Sequence, residues 1–219
     1  FGHWGELRLG ISAGWGDTKV RIGEPDGYPT GSYTKSGLFA RLSGDTLDNV
    51  YFPHMGQRSS VDYYASIADL GADSSYQTIS AKGILPFTWG DHTVIGGLIA
   101  ESTLSGDPEV SDLFSRGGFL NLSGLARRQI TGRHSGLGEM VYYYRLDDAS
   151  AILTLPMYLG GSLELGGAWD KGSDITFASM IPAASLFVGL DTFMGPMYLA
   201  GGMAEAGNYG LYLYLGTTY

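Results

Sequence analysis

The sequence predicts an all-β protein, an antiparallel transmembrane β-barrel with about ten strands present. Apolar and polar residues alternate in segments of about 10 to 14 residues, and Gly, Asp, Pro and Ser cluster between the segments. Tyrosines gather toward the segment ends. No stretch reaches the ~18 uninterrupted apolar residues of a transmembrane helix, so a membrane crossing has to use strands.

The alternating pattern defines the strands in chain order. In Met157–Trp169, Leu159 and Leu163 share one parity, whereas Ser162 and Glu164 share the other. Such a strand has one apolar face, which a membrane barrel turns to lipid and a soluble sandwich buries against a second sheet. The predicted strands are 6–13, 33–43, 60–70, 75–87, 93–103, 135–146, 157–169, 184–193, 197–205 and 209–219.

Composition narrows the function classes. The 219 residues are 44% apolar and 16% charged, and the 35 glycines are spread through the apolar segments, as expected where strands pack closely. The absence of cysteine excludes disulfides and Cys-based metal sites. The net charge of −9 argues against nucleic acid as a partner, because phosphate binding requires clustered Lys and Arg.

Aromatic residues favour the membrane interpretation. Tyrosines near strand ends are typical of the aromatic girdles at the two membrane interfaces. The last strand carries Leu211, Leu213, Leu215 and Tyr219 on one parity. That pattern looks like the C-terminal targeting strand of outer-membrane barrels, so we expect the bacterial outer membrane as the location.

One long segment, 104–132, lacks alternation, and loops of this length are usually functional or disordered. It contains Arg127 and Arg128. An ion pair between either arginine and a carboxylate of lumen parity would hold the loop inside the barrel; the alternative leaves both arginines in solvent. The carboxylates are Glu139, Glu164 and Asp191. Three cationic residues, Arg8, Arg41 and Lys82, are also expected to line the polar lumen.

A catalytic interpretation fails on local structure. The G-x-S-x-G pattern around Ser12, with Asp26-Gly27 beyond it, fits the two parts of a hydrolase dyad. A nucleophile elbow needs a strand, a sharp turn and a helix, but the residues after Ser12 show no helical period. The four histidines are scattered and no nucleotide-binding glycine pattern is present. We therefore expect no catalytic residue, no metal and no cofactor.

The long segment also carries a resemblance. Residues 117–125 and 129–134 resemble the inward-folded sixth extracellular loop of the bacterial surface antigen superfamily, which includes outer-membrane assembly factors and two-partner secretion transporters. In assembly factors a Val/Ile-Arg-Gly-Phe/Tyr motif sends its Arg to a carboxylate inside the barrel. This chain has Leu122, Ser123, Gly124 and Leu125, with Ser123 where that Arg would be, which argues against assembly-factor activity.

Residues 45–56, 156–164, 195–199 and 211–216 resemble the C-terminal barrel of patatin-like phospholipases of the type Vd autotransporter group. The likeness covers residues 35–219. It implies a sixteen-stranded barrel of which this chain supplies the C-terminal strands. About six further strands, a periplasmic POTRA module and a patatin lipase domain, active in lipid metabolism, would precede it in the parent protein. A complete ten-stranded barrel is the alternative.

The resemblance implies a single barrel domain, 1–219, that anchors and translocates a patatin-like autotransporter and is not itself an enzyme. The expected partners are the lipid bilayer, the outer-membrane assembly machinery, and the protein's own N-terminal domains or a second copy. The alternatives are a general outer-membrane pore, an assembly or secretion barrel, and a soluble β-sandwich binding module.

Overall fold

A computed structural model describes residues 4–18, 31–146 and 155–216. Long antiparallel strands dominate it, and short 3₁₀ turns at Ala68–Leu70, Val110–Asp112, Gly172–Asp174, Phe177–Ser179 and Glu205–Gly207 lie between strands. The strands are β1 (Gly5–Thr18), β2 (Gly31–Asp45), β3 (Arg58–Ser66), β4 (Tyr76–Trp89), β5 (His92–Gly106), β6 (Phe114–Arg116), β7 (Ile130–Gly132), β8 (His134–Arg145), β9 (Met157–Trp169), β10 (Ile181–Thr192), β11 (Gly195–Ala204) and β12 (Asn208–Leu215).

The long strands form one 10-stranded sheet in the order β1-β2-β3-β4-β5-β8-β9-β10-β11-β12. Each strand pairs antiparallel with its neighbours in the order, and β6 and β7 form a separate hairpin between β5 and β8. The predicted all-β antiparallel fold is confirmed. A β-sandwich needs two large sheets packed face to face, whereas the described residues form one large sheet and one two-stranded sheet. The alternative of a soluble β-sandwich is therefore wrong for the described residues.

Three predicted strand ends differ from the structure by four residues or more. The first strand, predicted to end at residue 13, continues as β1 to Thr18. The third strand was expected to reach residue 70, but β3 ends at Ser66. The Ser66 hydroxyl donates to the Ser74 carbonyl oxygen, and Ser75 Oγ accepts the Ala68 N–H, so side chains close the turn there. The last strand is observed to Leu215, and Tyr219 lies outside the described residues.

The outer face of the sheet is an exposed apolar band. Leu9 is 69% exposed, Leu186 76% and Leu211 90%, although each lies within a regular strand. In β9 the outward Leu159 and Leu163 alternate with buried inward residues, as predicted. An apolar face of this kind suits lipid and not water. Among the described residues, no helix is both long and apolar enough to span a bilayer.

Buried residues concentrate on the inner face of β8–β11. The main cluster joins aromatic side chains of these strands to two segments that fold inward between strands. Small residues provide the space: a Cβ on Gly189 would lie 2.8 Å from the Phe52 ring. The cluster contains Phe52, Ile95, Leu120, Val141, Tyr143, Tyr158, Phe187, Tyr198 and Ala200.

Candidate functional site

The first inward segment is residues 107–133, between β5 and β8, called the inward loop below. Its tip lies on the inner face of the sheet, where Leu122, Ser123 and Leu125 are buried. Gly124 N–H donates to Tyr212 Oη at 2.8 Å, and Tyr212 Oη donates to the Leu125 carbonyl oxygen at 3.2 Å. The loop that the sequence predicted to fold inward is therefore seated on β12.

Ser123 fixes the tip to the barrel wall. Its backbone N–H donates to Glu164 Oε2 at 2.8 Å and its hydroxyl donates to Glu164 Oε1 at 2.7 Å. Ser162 Oγ donates to the same Oε1 at 2.6 Å. Hydrogen bonds thus satisfy the buried Glu164 carboxylate where a cation would otherwise be needed. The serine at the motif's arginine position still reaches a wall carboxylate.

The backbone of the tip is strained. Leu120 and Leu122 have φ values of 54° and 64°, a left-handed conformation that leucine rarely adopts. Gly124 has φ 106°, and a Cβ there would lie 2.4 Å from the backbone nitrogen of Ala204. Strain of this kind persists only where the surroundings fix the conformation, which here means burial of both leucines.

Arg116 is the buried cation of the inward loop. Its Nη2 donates to Glu101 Oε2 at 2.7 Å, with side-chain exposures of 6% and 8%. Glu101 also accepts hydrogen bonds from Ser135 Oγ at 2.8 Å and Ser80 Oγ at 3.2 Å. Both oxygens of the Glu101 carboxylate therefore have partners, as a buried ion pair requires, whereas Arg116 Nε is buried without a hydrogen-bond partner among the described residues.

The structure does not bring Arg127 or Arg128 to Glu139, Glu164 or Asp191. Both arginines are exposed, and the described residues form no salt bridge with either. Gln129 accounts for this: its Oε1 accepts the Ala126 N–H and its N–H donates to the Ala126 carbonyl oxygen, which closes a turn with the arginines at its tip. Of the two alternatives, the structure shows the one in which both arginines lie in solvent, and the ion pair that joins the loop to the inner face is Arg116–Glu101.

The second inward segment is residues 46–57, between β2 and β3, called the strap below. It crosses the inner face of the sheet and places Phe52, which is 1% exposed, on the Tyr158 ring with centroids 3.9 Å apart. Tyr143 Oη donates to the Pro53 carbonyl oxygen. Thr88 Oγ1 donates to the His54 carbonyl oxygen at 2.7 Å.

Asp48 organises the strap. Its Oδ1 accepts the N–H groups of His54 at 2.8 Å and Met55 at 3.0 Å, and its Oδ2 lies 3.3 Å from His54 Nδ1. Partial burial acts to raise the pKa of Asp48, but these hydrogen bonds and His54 outweigh it and hold the pKa below its usual range. The sequence provided only a family resemblance for this segment and did not predict that it folds inward.

The strap and the inward loop meet inside the sheet. Phe52 and Leu120 belong to one buried cluster, and Phe119 packs against it. The Phe119 ring lies 5.3 Å from the Tyr198 ring, which is 5.5 Å from the Phe52 ring. Because the two segments enter between opposite ends of the strands, together they cover the inner face of β8–β12.

The inner face of β1–β4 carries paired charges instead. Arg8 bonds Glu6 at 2.8 Å, Arg41 pairs with Asp62, and Arg58 bonds Asp45 at 2.8 Å. We call this surface the charged wall, defined by Glu6, Arg8, Arg41, Asp45, Arg58, Asp62 and Lys82. A cavity of about 650 Å³ separates it from Arg116, Phe119 and Asn121 of the inward loop.

The rejected catalytic pattern has no elbow. Ser12 lies within β1, opposite Gly37 of β2, so the backbone there continues as a strand. Asp26 and His3 lie outside the described residues. His54 belongs to the strap, His92 Nδ1 is 2.8 Å from Tyr142 Oη, and His134 Nδ1 is 2.8 Å from Ser102 Oγ. No group of potential metal ligands occurs in the described part of the chain.

An antiparallel sheet with an apolar outer face, a polar inner face and an inward loop defines an outer-membrane β-barrel. The family model of the Omp85 superfamily domain matches residues 8–174. The chain therefore belongs to the Omp85 superfamily, and it is a protein of the bacterial outer membrane.

Solved structures agree on the fold. The chain is similar to BamA from Haemophilus ducreyi, in a crystal structure lacking POTRA domains 1–3, with a TM-score of 0.72 and 13% identity. The similarity covers 96% of this chain and 50% of that one, so the chain spans about half the length of that relative. The comparison with curated proteins found no match.

Proposed function

We propose that this chain is the membrane anchor and translocator barrel of a patatin-like autotransporter. The observation that carries the proposal is the division of the inner face into a part covered by the inward loop and the strap and a part open at the charged wall. The stretches quoted for the patatin-like group support it, since 45–56 covers the strap except for Gln57, and 156–164 contains the Glu164 that holds the inward loop.

The charged wall suits a transient polar passage. Arg8, Arg41 and Arg58 each have a carboxylate partner on the wall, so the surface is polar without a strong net electric field. A conduit must let its cargo leave as well as enter, and balanced charges avoid tight retention of a polypeptide of either sign. No catalytic step is required of these residues, and barrels of this superfamily are non-enzymatic modules.

The barrel in this proposal is sixteen-stranded. β1 and β12 are the end strands of the described sheet, and a strand edge inside a bilayer has to be paired. We propose that further strands of the same protein pair with both ends, and that a periplasmic module and a lipase domain belong to the parent. Pairing with a second copy is the alternative. The outer-membrane assembly machinery would insert the product.

The test is surface delivery of the parent's lipase domain. The whole gene product is expressed in a bacterial host, and external protease is applied to intact cells. We expect the lipase domain to be cleaved from outside, and a variant without the barrel to retain it in the periplasm. Heat-modifiable migration in detergent gels reports folding of the barrel in both experiments. A surface lipase that needs no barrel would overturn the proposal.

A general diffusion pore is the second candidate, because the cavity beside the charged wall is lined by charged side chains and only partly covered. Steady conductance of the purified protein in planar bilayers, unchanged when the lipase domain is deleted, would favour the pore. Transient openings that depend on the lipase domain would favour the translocator.

A further inference from the structure

The strap is held together by its own hydrogen bonds, and it packs on the barrel wall through one short stretch around the buried Phe52. We propose that residues 46–57 are a gate, hinged at Asp45 and Arg58, that swings away from β8–β11 to open the lumen. The use of the opening for protein export rests on the proposed function, but the opening itself does not, because conductance measures it directly.

The internal hydrogen bonds of the strap make it move as one body. Thr46 N–H donates to the Gln57 carbonyl oxygen at 2.8 Å, and Asp48 N–H donates to the Met55 carbonyl oxygen at 3.2 Å. Asn49 Oδ1 accepts the Tyr51 N–H at 2.7 Å. Gly56 has φ 95°, and a Cβ there would lie 2.0 Å from the Thr46 carbonyl oxygen, so the two ends of the strap approach closely. None of these bonds has to break when the strap leaves the wall.

The hinge lies where the strap joins β2 and β3. Asp45 and Arg58 are opposed in the β2–β3 register, and Arg58 Nε donates to Asp45 Oδ2 at 2.8 Å. This ion pair is partly exposed and belongs to the charged wall. The strap can therefore rotate about a fixed base without changing the register of the strands.

Contacts with the wall come from the short stretch 51–54 and from two side-chain donors. Tyr51 packs against the buried cluster, Pro53 is buried, and the His54 ring lies 6.5 Å from the rings of Tyr143 and Tyr158. Phe52 lies against Tyr158 and Tyr198, over Gly189. Tyr143 and Thr88 donate to carbonyl oxygens of the strap, as described above. The socket left by Phe52 would be lined mainly by tyrosines, whose hydroxyls can bind water, so an emptied socket can become hydrated.

Opening the strap also releases the inward loop. Leu120 packs in the same cluster as Phe52 while holding a strained left-handed backbone. Withdrawal of Phe52 removes part of the packing that holds Leu120 in place. The proposed opening therefore has two steps: the strap moves first, and the inward loop follows.

Disulfide locking tests the gate, because these 219 residues contain no native cysteine that could form a competing disulfide. Any cysteine elsewhere in the whole gene product is first replaced by serine. His54→Cys with Thr88→Cys joins the strap to β4, at positions already in hydrogen-bond contact. The matched control, Thr46→Cys with Gln57→Cys, joins the two ends of the strap to each other and leaves it free to swing. The whole gene product is purified from membranes, oxidised, and recorded in planar bilayers before and after reduction; mass spectrometry verifies each disulfide.

We expect the strap-to-wall disulfide to lower the frequency of channel openings on the order of tenfold, reversibly on reduction, and the control disulfide to leave it unchanged. Equal opening frequencies with both disulfides formed would overturn the gate.

A second pair of variants needs no disulfide. Gly189→Ala places a Cβ against the Phe52 ring and should raise the opening frequency. Gly96→Ala is the control, because a Cβ there meets nothing within 4 Å. Equal frequencies for this pair would also contradict the proposal.

Surface delivery of the lipase domain separates the two proposals. If the lock abolishes conductance while delivery continues, the gate stands and the translocator function fails. If delivery requires the barrel but the lock changes neither conductance nor delivery, the function stands and the gate fails.

Discussion

The two halves of the inner face differ although their outer faces are alike. Both halves have exposed aliphatic side chains on the outer face, such as Leu9 on β1 and Leu199 on β11. Inside, β8–β12 bury tyrosines, serines and Glu164 under the inward loop and the strap, whereas β1–β4 keep arginines and carboxylates half-exposed. The position of an inner charge relative to the two inward segments, and not the composition of its strand, decides whether that charge is buried and paired or faces the cavity.

The largest expected change in unfolding free energy distinguishes the buried ion pair of the inward loop from the exposed ion pairs of the charged wall. Arg116→Met removes the cation from a buried pair and leaves Glu101 without its main partner, so we expect a loss of about 3 kcal/mol in unfolding free energy. Arg41→Met breaks a pair whose side chains are 50% and 26% exposed and should cost at most about 1 kcal/mol. Urea unfolding in detergent micelles measures both. Equal losses would remove the distinction between the halves.

The strands and the outer face could be predicted from the sequence, because the period-2 alternation that defines a strand is visible within that strand. The ion pair that joins the inward loop to the inner face could not be predicted in this way. Arg127 and Arg128 look as suitable as Arg116, and only the turn closed by Gln129 sends them outward. Glu101 offered a sequence signal for a buried carboxylate, because it lies on the same face of β5 as the buried Ile95 and Thr103.

The strap was harder to predict than the inward loop. Asp48, Asn49 and Pro53 mark a polar turn by composition. What draws it inward is the fit of Phe52 over Gly189, and these residues belong to distant parts of the sequence. A large aromatic side chain in a polar turn is the one local sign, and it does not identify the socket.

A smaller effect tests the anchor of the inward loop. Ser123→Ala removes the hydroxyl bonded to Glu164 and the acceptor of the Leu120 N–H, so we expect a loss of about 2 kcal/mol in unfolding free energy. Ser12→Ala, within β1, is the control and should change stability by less than about 0.5 kcal/mol. The same urea titration serves both variants, and a greater loss at Ser12 would contradict the assignment of Ser123 as the anchor.

A charge reversal at an exposed ion pair tests the passage with little expected change in stability. Arg8→Glu replaces a half-exposed cation of the charged wall by an anion. If ions pass along this wall, the ratio of cation to anion permeability should rise by about twofold, since a lumen charge shifts local ion concentrations modestly in water. Reversal potentials in a salt gradient measure the ratio. Lys171→Glu, in the segment between β9 and β10, is the control; an equal shift there would place the passage elsewhere.

The smallest effect is the pH dependence of the strap. Hydrogen bonds lower the pKa of Asp48 in the folded protein, so ionised Asp48 stabilises the strap above the unfolded pKa of about 3.9. That stabilisation is lost as the pH falls through the still lower folded pKa. Asp48 bonds the N–H groups next to Pro53, so its loss also loosens the stretch that holds Phe52 and the Pro53 and His54 carbonyl oxygens on the wall. We therefore expect channel openings to become more frequent below about pH 4. Asp48→Ala should show frequent openings at neutral pH already, and less change on acidification. Asp48→Asn keeps an oxygen acceptor for the His54 and Met55 N–H groups but cannot ionise, so it should lie between the two. An Asp48→Ala protein with the wild-type pH response would mean that another carboxylate controls the strap.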